Sequence, residues 1–442
     1  MKRYDSYKDS GIEWIGKIPS HWKVTKLKFI GNIICGGTPS TTNEEYWTGN
    51  IPWIQSGKVQ NNIVLLDVVD KKITENALVE SSTKLVKKDS VLIAITGATC
   101  SNIGYLTFET AVNQSIVAVE PSNFNSVLLF NLLKSQKEQI LFHQSGGAQG
   151  GVTKGDMMNI YIPYPTVEEQ ITIANYLDQK TTQIDDLIAK KENLIRLQEE
   201  ERTAMINQAV TKGLDPTVPM KDSGIEWLGE IPANWEVKKL KYCFDIIGGY
   251  AFNSSDFQSM GIQLVKIGNL YQNQLQLDRQ PTFLPLSFKE IYSNYLVKKN
   301  DILLSLTGTL GKRDYGYAIL IDKDEELLIN QRVAKITAKS NISIDFAINM
   351  FQSETYLNRL FSIPTGTKQG NLSGEDVLSI IMGIPSLAEQ INIAKYITIE
   401  QNRINTIISK TQQEIELLKE YKTALISEVV TGKVDVRNEK LN

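Results

Sequence analysis

Apolar residues recur every three or four positions along two long stretches of this chain. From Thr166 to Ala209 the stripe is Ile173, Leu177, Ile184, Ile188, Ile195 and Met205, with Leu187 and Leu194 beside it. That period predicts one long amphipathic helix. Pro163 and Pro165 precede it, Thr166 stands as N-cap with Glu169 three residues on, and Gly213 followed by Pro216 ends it. The plan returns over Ser386–Val430. There Ser386 is the cap, Glu389 stands three on, Gly432 is the stop, and the stripe is Ile397, Ile404, Ile408, Ile415, Leu418 and Leu425. A helix of about forty residues would be roughly 60 Å long. Such a helix needs a partner for its stripe. Two separate coiled-coil helices binding other proteins would satisfy this. Mutual antiparallel pairing through Ile184, Ile188, Ile195, Ile404, Ile408 and Ile415 is favoured, because the repeat then relates the two halves by a pseudo-twofold.

The segments before each helix carry a different pattern. Val91–Thr96 and Asp301–Thr307 are short β-branched apolar runs ended by Thr-Gly, and each reads as a strand. Second strands follow at Gln114–Val119 and Gln331–Thr337, then helices at Ser126–Phe142 and Ile344–Phe361. Glycine-rich loops at Ser145–Gly151 and Thr365–Asn371 come next, and a last strand leads into the long helix. The fold class expected is α+β. Two mixed β-rich domains are joined by two long antiparallel coiled-coil helices with internal pseudo-twofold symmetry.

The repetition extends to the residues themselves. Lys8–Phe29 returns as Lys221–Tyr242 with 15 of 22 positions identical at an offset of 213, and Glu169–Asp215 returns as Glu389–Asp435 at an offset of 220. The segments between match far less well, so one framework task is done twice around two different recognition tasks. The expected boundaries are an N-terminal segment 1–22, a first insert 23–165, a central region 166–235, a second insert 236–385 and a C-terminal region 386–442. Four of the six tryptophans, Trp14, Trp22, Trp227 and Trp235, lie in the short repeat. Their expected role is a pad against the long helices rather than ligand contact.

Composition narrows the function classes. At 442 residues with 42% hydrophobic and 22% charged positions, the chain is an ordinary folded protein with room for several domains. No apolar run approaches a membrane span and Met1–Ser10 is polar, so a cytoplasmic protein with no signal peptide and no membrane partner is expected. Cys35, Cys100 and Cys243 form no CxxC pair, and only His21 and His143 are present, so metal sites and Ser–His or Cys–His chemistry lack their parts. The net charge of −3 excludes a generic polycation. The inserts are each near +1 while Thr166–Asp215 is near −4, so any nucleic-acid surface is a local patch on a nearly neutral domain.

Several residues suit such a patch. Gln149 and Gln369 in the glycine-rich loops have the amide pair that reads adenine edges, and Lys154 and Lys368 could meet phosphates. Each loop read alone is as well a flexible turn. Thr38 and Ser40, in Gly36-Gly37-Thr38-Pro39-Ser40 beside Tyr46-Trp47 and Trp53, suit groove contact or a tryptophan-anchored surface loop. Lys312 and Arg313 follow Gly311 as a basic pair for phosphate, and Lys58 and Asn371 complete the candidate DNA-binding set. The pairs Asn113-Gln114 and Asn330-Gln331 have a structural reading at strand starts. There is no Walker A lysine, no glycine-rich cofactor loop, and no Asn-Pro-Pro-aromatic or Asp-Pro-Pro-aromatic methylation motif. Catalysis by this chain alone is not expected.

The chain resembles the DNA-specificity subunits of type I restriction–modification systems. The resemblance rests on KDSGIEW-G-IP-HW before an insert, GGTPSTTNEEYWTGNIPWI opening the first insert, and ITG or LTGT in mid-domain. The GTKQGNLSGEDV loop and IP…EEQ or IP…AEQ before each long helix complete it. It spans nearly the whole chain, in order and twice. It implies two target-recognition domains on double-stranded DNA, each reading one half of a bipartite sequence, with helices that fix the spacer and dock two modification subunits. It further implies S-adenosylmethionine, ATP and magnesium on partner subunits rather than here, with restriction subunits joining for cleavage. The alternatives are a coiled-coil adaptor binding proteins and a single-chain DNA methyltransferase. In the first insert SGGAQGGVTKGDM departs from KQGNLSGED of the second.

Overall fold

The structure, a computed structural model, describes residues 2–142, 150–323, 326–363 and 369–439. They divide into two compact units, one of residues 1–192 with 412–442 and one of residues 193–411. The first long helix, Val167–Lys212, contributes residues to both, as does the second, Leu387–Val430.

In the first unit the main sheet runs in the order Gly31–Cys35, Ile116–Pro121, Val91–Ala94, Ile103–Leu106, Ile63–Val64. Its central strands are buried on both faces, which is why they read as unbroken apolar runs instead of alternating ones. Successive side chains still point to opposite faces. Val91 and Ile93 join the core that holds Leu128, Leu129 and Leu132 of the helix Ser126–Ser135, whereas Leu92 and Ala94 join a second core with Ile54 and Val112. A smaller sheet sets Ile51–Ile54 parallel to Thr110–Val112.

The second unit has the same plan. Phe244–Gly248, Val333–Ala338, Ile302–Ser305 and Ala318–Leu320 form its main sheet, and Ile262–Val265 lies parallel to Leu327–Ile329. Ile302 and Leu304 face the core of Phe346, Ala347 and Met350, while Leu303 faces Val265 and Val333. Each insert is closed by an antiparallel pair, Lys23–Lys26 with Tyr161–Tyr164 and Glu236–Lys239 with Ile381–Ile384.

The short repeat lies against the long helices in the same way in each unit. Glu169, three residues after Thr166, makes the capping box: its N–H donates to Thr166 Oγ1 and its Oε2 accepts from Thr166 N, both at 3.3 Å. The Glu389 N–H donates to Ser386 Oγ at 3.3 Å. The helices stop at Gly213 and Gly432, whose φ of +75° and +74° are left-handed values that glycine adopts freely. At Gly432 a Cβ would lie 2.9 Å from the Trp22 ring, so the stop also permits close packing.

Within the first unit Lys191 pairs with Glu414 at 2.5 Å and Asp185 with Lys422 at 2.6 Å. Numbers fall along one helix as they rise along the other. Within the second unit Arg403 pairs with Glu201 at 2.9 Å, and Arg202 donates to Asn405 at 3.0 Å. Ile184, Ile404 and Ile415 are buried, and Ile188, Ile195 and Ile408 are half-buried.

Several local expectations need correction. The helices read as Ser126–Phe142 and Ile344–Phe361 are each two, Ser126–Ser135 with Lys137–Phe142 and Ile344–Phe351 with Glu354–Phe361. The second break has a clear cause, because Ser353 Oγ accepts from the Tyr356 N–H at 3.3 Å and caps a new helix. The first long helix runs three residues past Ala209, and the strands at Gln114 and Gln331 start later, at Ile116 and Val333. The end of this helix is anchored. The Lys212 ammonium donates to the Glu230 carbonyl, and Gly213 lies against Trp235.

Candidate nucleic-acid interface

Two motifs far apart in sequence meet at one edge of the second unit. Thr307–Thr309 pairs antiparallel with Gln369–Asn371, with Thr307 opposite Asn371 and Thr309 opposite Gln369. Thr307 Oγ1 donates to Asn371 Oδ1 at 3.1 Å. Glycine is required at the middle rung. A Cβ at Gly308 would come within 2.6 Å of the Tyr315 ring and strike the Asp314 carboxylate, and one at Gly370 would lie 3.0 Å from the Tyr315 hydroxyl. Tyr315 is the buried floor of this ladder, edge-on to Phe361 at 4.9 Å, and burial followed by the Asp314 charge pushes its phenol above the ordinary tyrosine range. Asp314 Oδ1 accepts from the Thr309 N–H at 2.6 Å and holds the turn that carries Lys312 and Arg313.

The first unit builds the same edge from other residues. Thr96 bridges Gly151, and the Val152 N–H donates to the Ile95 carbonyl at 2.8 Å. In the second unit the Leu372 N–H donates to Leu306 at 2.9 Å in the matching place. Both ladders lead into a short helix absent from the sequence reading, Lys154–Asn159 and Gly374–Ser379. Each opens with a full capping box, Thr153 with Asp156 and Ser373 with Asp376. The signal was present as T-x-x-D and S-x-x-D, but six residues are too few to show a period.

The candidate residues fall into groups. Gln369, Asn371 and Lys312 gather at the ladder of the second unit, all exposed, Lys312 through its N–H bond to the Thr309 carbonyl at 3.1 Å. Arg313 stands beside them but is engaged: its guanidinium binds Glu354 at 3.2 Å and Asn358, and lies 5.0 Å over the Phe361 ring. Lys154 is exposed at the start of its short helix. Thr38 donates to the Gln114 side-chain oxygen. Ser40 shares a hydrogen bond with Thr42 at 2.8 Å, and its carbonyl accepts from Trp47 Nε1 at 3.1 Å. Trp53 Nε1 donates to the Gly37 carbonyl at 3.2 Å, and Trp47 meets Trp53 edge-on at 5.0 Å, so the two indoles pin this loop. Lys58 closes the 3-10 turn Ser56–Lys58 that follows the strand Ile51–Ile54 and is held by Asp70 at 2.5 Å. Gln149 and Lys368 lie outside the described residues.

Arg332 and Ser115, not among the candidates drawn from the sequence, are brought to the edge by the sheet. The Arg332 carbonyl accepts from the Leu306 N–H at 3.0 Å, and the Ser115 carbonyl from Ile95 at 2.9 Å. Among the described residues no group of three or more His, Cys, Asp or Glu is placed to hold a metal ion, and no helix is long and apolar enough to cross a membrane. The edge therefore offers amides, hydroxyls, cations and open backbone, a set suited to polar contact with bases and phosphates.

Known proteins give this architecture a family. A family model for the type I restriction modification DNA specificity domain matches residues 19–197 and 232–417, one match for each insert with its flanks. The chain is 27% identical over 425 residues to the type I restriction enzyme MjaVIII specificity subunit of Methanocaldococcus jannaschii, covering 96% of this chain and 95% of that protein. It is 22% identical over 408 residues to the EcoKI specificity subunit of Escherichia coli strain K12, covering 86% and 82%. In fold it is similar to the crystal structure of the HsdS subunit from Thermoanaerobacter tengcongensis, with a TM-score of 0.60 at 14% identity over 94% of this chain and 98% of that one. The duplicated units with unlike edges are thus those of a DNA specificity subunit, and the chain belongs to the type I restriction–modification specificity family.

Proposed function

We propose that each unit reads one half of a bipartite DNA sequence through the edge built around Thr96 and Gly151 in one case and Thr307–Thr309 with Gln369–Asn371 in the other. The carrying observation is that the backbone of this edge is repeated while its side chains are not: Ser115 and Gly151 stand where the second unit has Arg332 and Asn371. A shared frame with unlike polar tips is what two different half-sites call for. Phosphate contacts would come from Lys154 and Lys312, and base contacts from Gln369, Asn371 and the loop of Thr38 and Ser40. Lys58 and Arg313 have acidic partners that DNA would have to displace.

The long helices in this reading pair antiparallel as a coiled coil with pseudo-twofold symmetry, set the spacer between the half-sites, and dock two modification subunits. The ion pairs at 185–422, 191–414 and 201–403 support the pairing. Docking is supported by exposed apolar residues at equal places in the repeat, Val167 and Ile171 on one helix and Leu387 and Ile391 on the other. The methyl transfer and the S-adenosylmethionine then belong to the modification subunits, and ATP-driven cleavage to restriction subunits. The test is to map modified bases genome-wide with the chain present or deleted. A bipartite motif that disappears on deletion is expected. Methyl transfer to DNA by the purified chain alone would overturn the non-catalytic reading.

A further inference from the structure

We propose that Arg332 is a base-reading side chain of the second unit and that it takes a guanine. The assignment rests on the DNA-reading function above and adds the chemistry of one half-site. Residues 236–385 hold four arginines. Three are engaged: Arg279 lies 5.5 Å over the Tyr271 ring, Arg313 is bound by Glu354 and Asn358, and Arg359 lies 5.8 Å over the Trp227 ring. Arg332 is exposed and, among the described residues, its guanidinium has no partner.

Its backbone, by contrast, is fixed. The Gln331 N–H donates to the Tyr250 carbonyl at 3.2 Å and to Asn330 Oδ1 at 2.6 Å, while the Val333 N–H donates to the Asn330 carbonyl at 2.8 Å. The Arg332 carbonyl accepts from Leu306, whose own carbonyl accepts from Leu372. Arg332 therefore projects from a rigid turn one chain away from the Thr307–Thr309 and Gln369–Asn371 ladder. A free guanidinium on a fixed stem, among exposed amides, is organised in advance for a ligand. Its planar fork matches the O6 and N7 acceptors of guanine in the major groove, which a point charge does less well.

The first insert has no such group. Ser115 occupies the equivalent place, and residues 23–165 contain no arginine at all. The two half-sites are thus read by different chemistry, one with a guanidinium fork and one with amides, hydroxyls and lysines only.

The experiment maps modified bases in cells carrying the complete complex with wild-type chain, Arg332→Ala or Arg332→Lys. The half-site of the second unit is identified as the half that changes when residues 236–385 are exchanged for a relative's insert. The proposal expects Arg332→Ala to relax discrimination at one guanine of that half by roughly 10- to 100-fold, with the rest of the motif intact. Arg332→Lys should restore it only partly. An unchanged motif, or a relaxed position that is not a guanine in that half, overturns the assignment. So does weakening uniform over all sequences that Arg332→Lys repairs fully, which marks a phosphate contact. A wild-type motif that is not bipartite sinks the functional reading beneath it, which is a separate result.

Discussion

The indole N–H of Trp22 donates to Glu169 Oε2 at 3.0 Å, tying the short repeat to the first turn of a long helix. Trp235 repeats the bond to Glu389 Oε1 at 2.9 Å. Both indoles are fully buried, so neither can exchange this acceptor for water. A hydrogen bond to a charged group contributes about 1.5–3 kcal/mol. Trp22→Phe and Trp235→Phe should each lower stability by about that amount in urea unfolding. A loss confined to one of the two would contradict the equivalence of the junctions.

Acid should loosen the first unit through its C-terminal segment. Arg437 donates to both oxygens of Asp435, at 2.9 and 2.8 Å, and lies 4.8 Å over the Tyr4 ring, while the Asp435 N–H donates to the Lys2 carbonyl at 2.9 Å. The Arg437 hydrogen bonds hold the Asp435 carboxyl below the usual carboxylate range, against the opposing effect of burial. A carboxylate with a depressed folded pKa stabilises fully above its unfolded value, near ~3.9, and loses that contribution as pH falls through the folded value. The thermal midpoint of wild type should therefore converge on that of Asp435→Asn as pH drops below about 4. Two midpoints that stay a constant distance apart from neutral pH to about pH 2 would rule this out.

Gly308 should tolerate nothing larger. Its missing Cβ leaves room for the Tyr315 ring and the Asp314 carboxylate, both pinned beneath the ladder. Gly308→Ala should cost about 1–3 kcal/mol by overpacking and should weaken DNA binding by the assembled complex. Gly268→Ala is the control, since a Cβ there meets nothing within 4 Å. Equal behaviour of the two variants would show that the close approach is not needed.

How much of this was legible in the sequence depends on range. The long helices were readable because their period, caps and glycine stops are local, and Thr166, Glu169, Gly213 and Gly432 stand where the helix ends fall. The paired breaks near Gln136 and Ser353 were missed because apolar periodicity continues through them without proline or glycine. The ladder of Thr307–Thr309 with Gln369–Asn371 joins segments that share no local pattern, so the motifs were visible but their meeting was not. Arg332 has the same history. Its neighbours in sequence, Asn330 and Gln331, marked a strand start, and only the bonds through Leu306 to Leu372 place it at the edge. Arg313 shows the converse, since a basic pair after glycine is visible in the sequence while the hold of Glu354 and Asn358 on one member of it is not.

The division of labour between the two inserts can be measured directly by exchanging residues 23–165 for the corresponding insert of a relative and mapping modified bases in cells with the complete complex. The account predicts that one half of the bipartite motif changes while the other half keeps its sequence. A motif that stays the same in both halves, or changes in both, would contradict it.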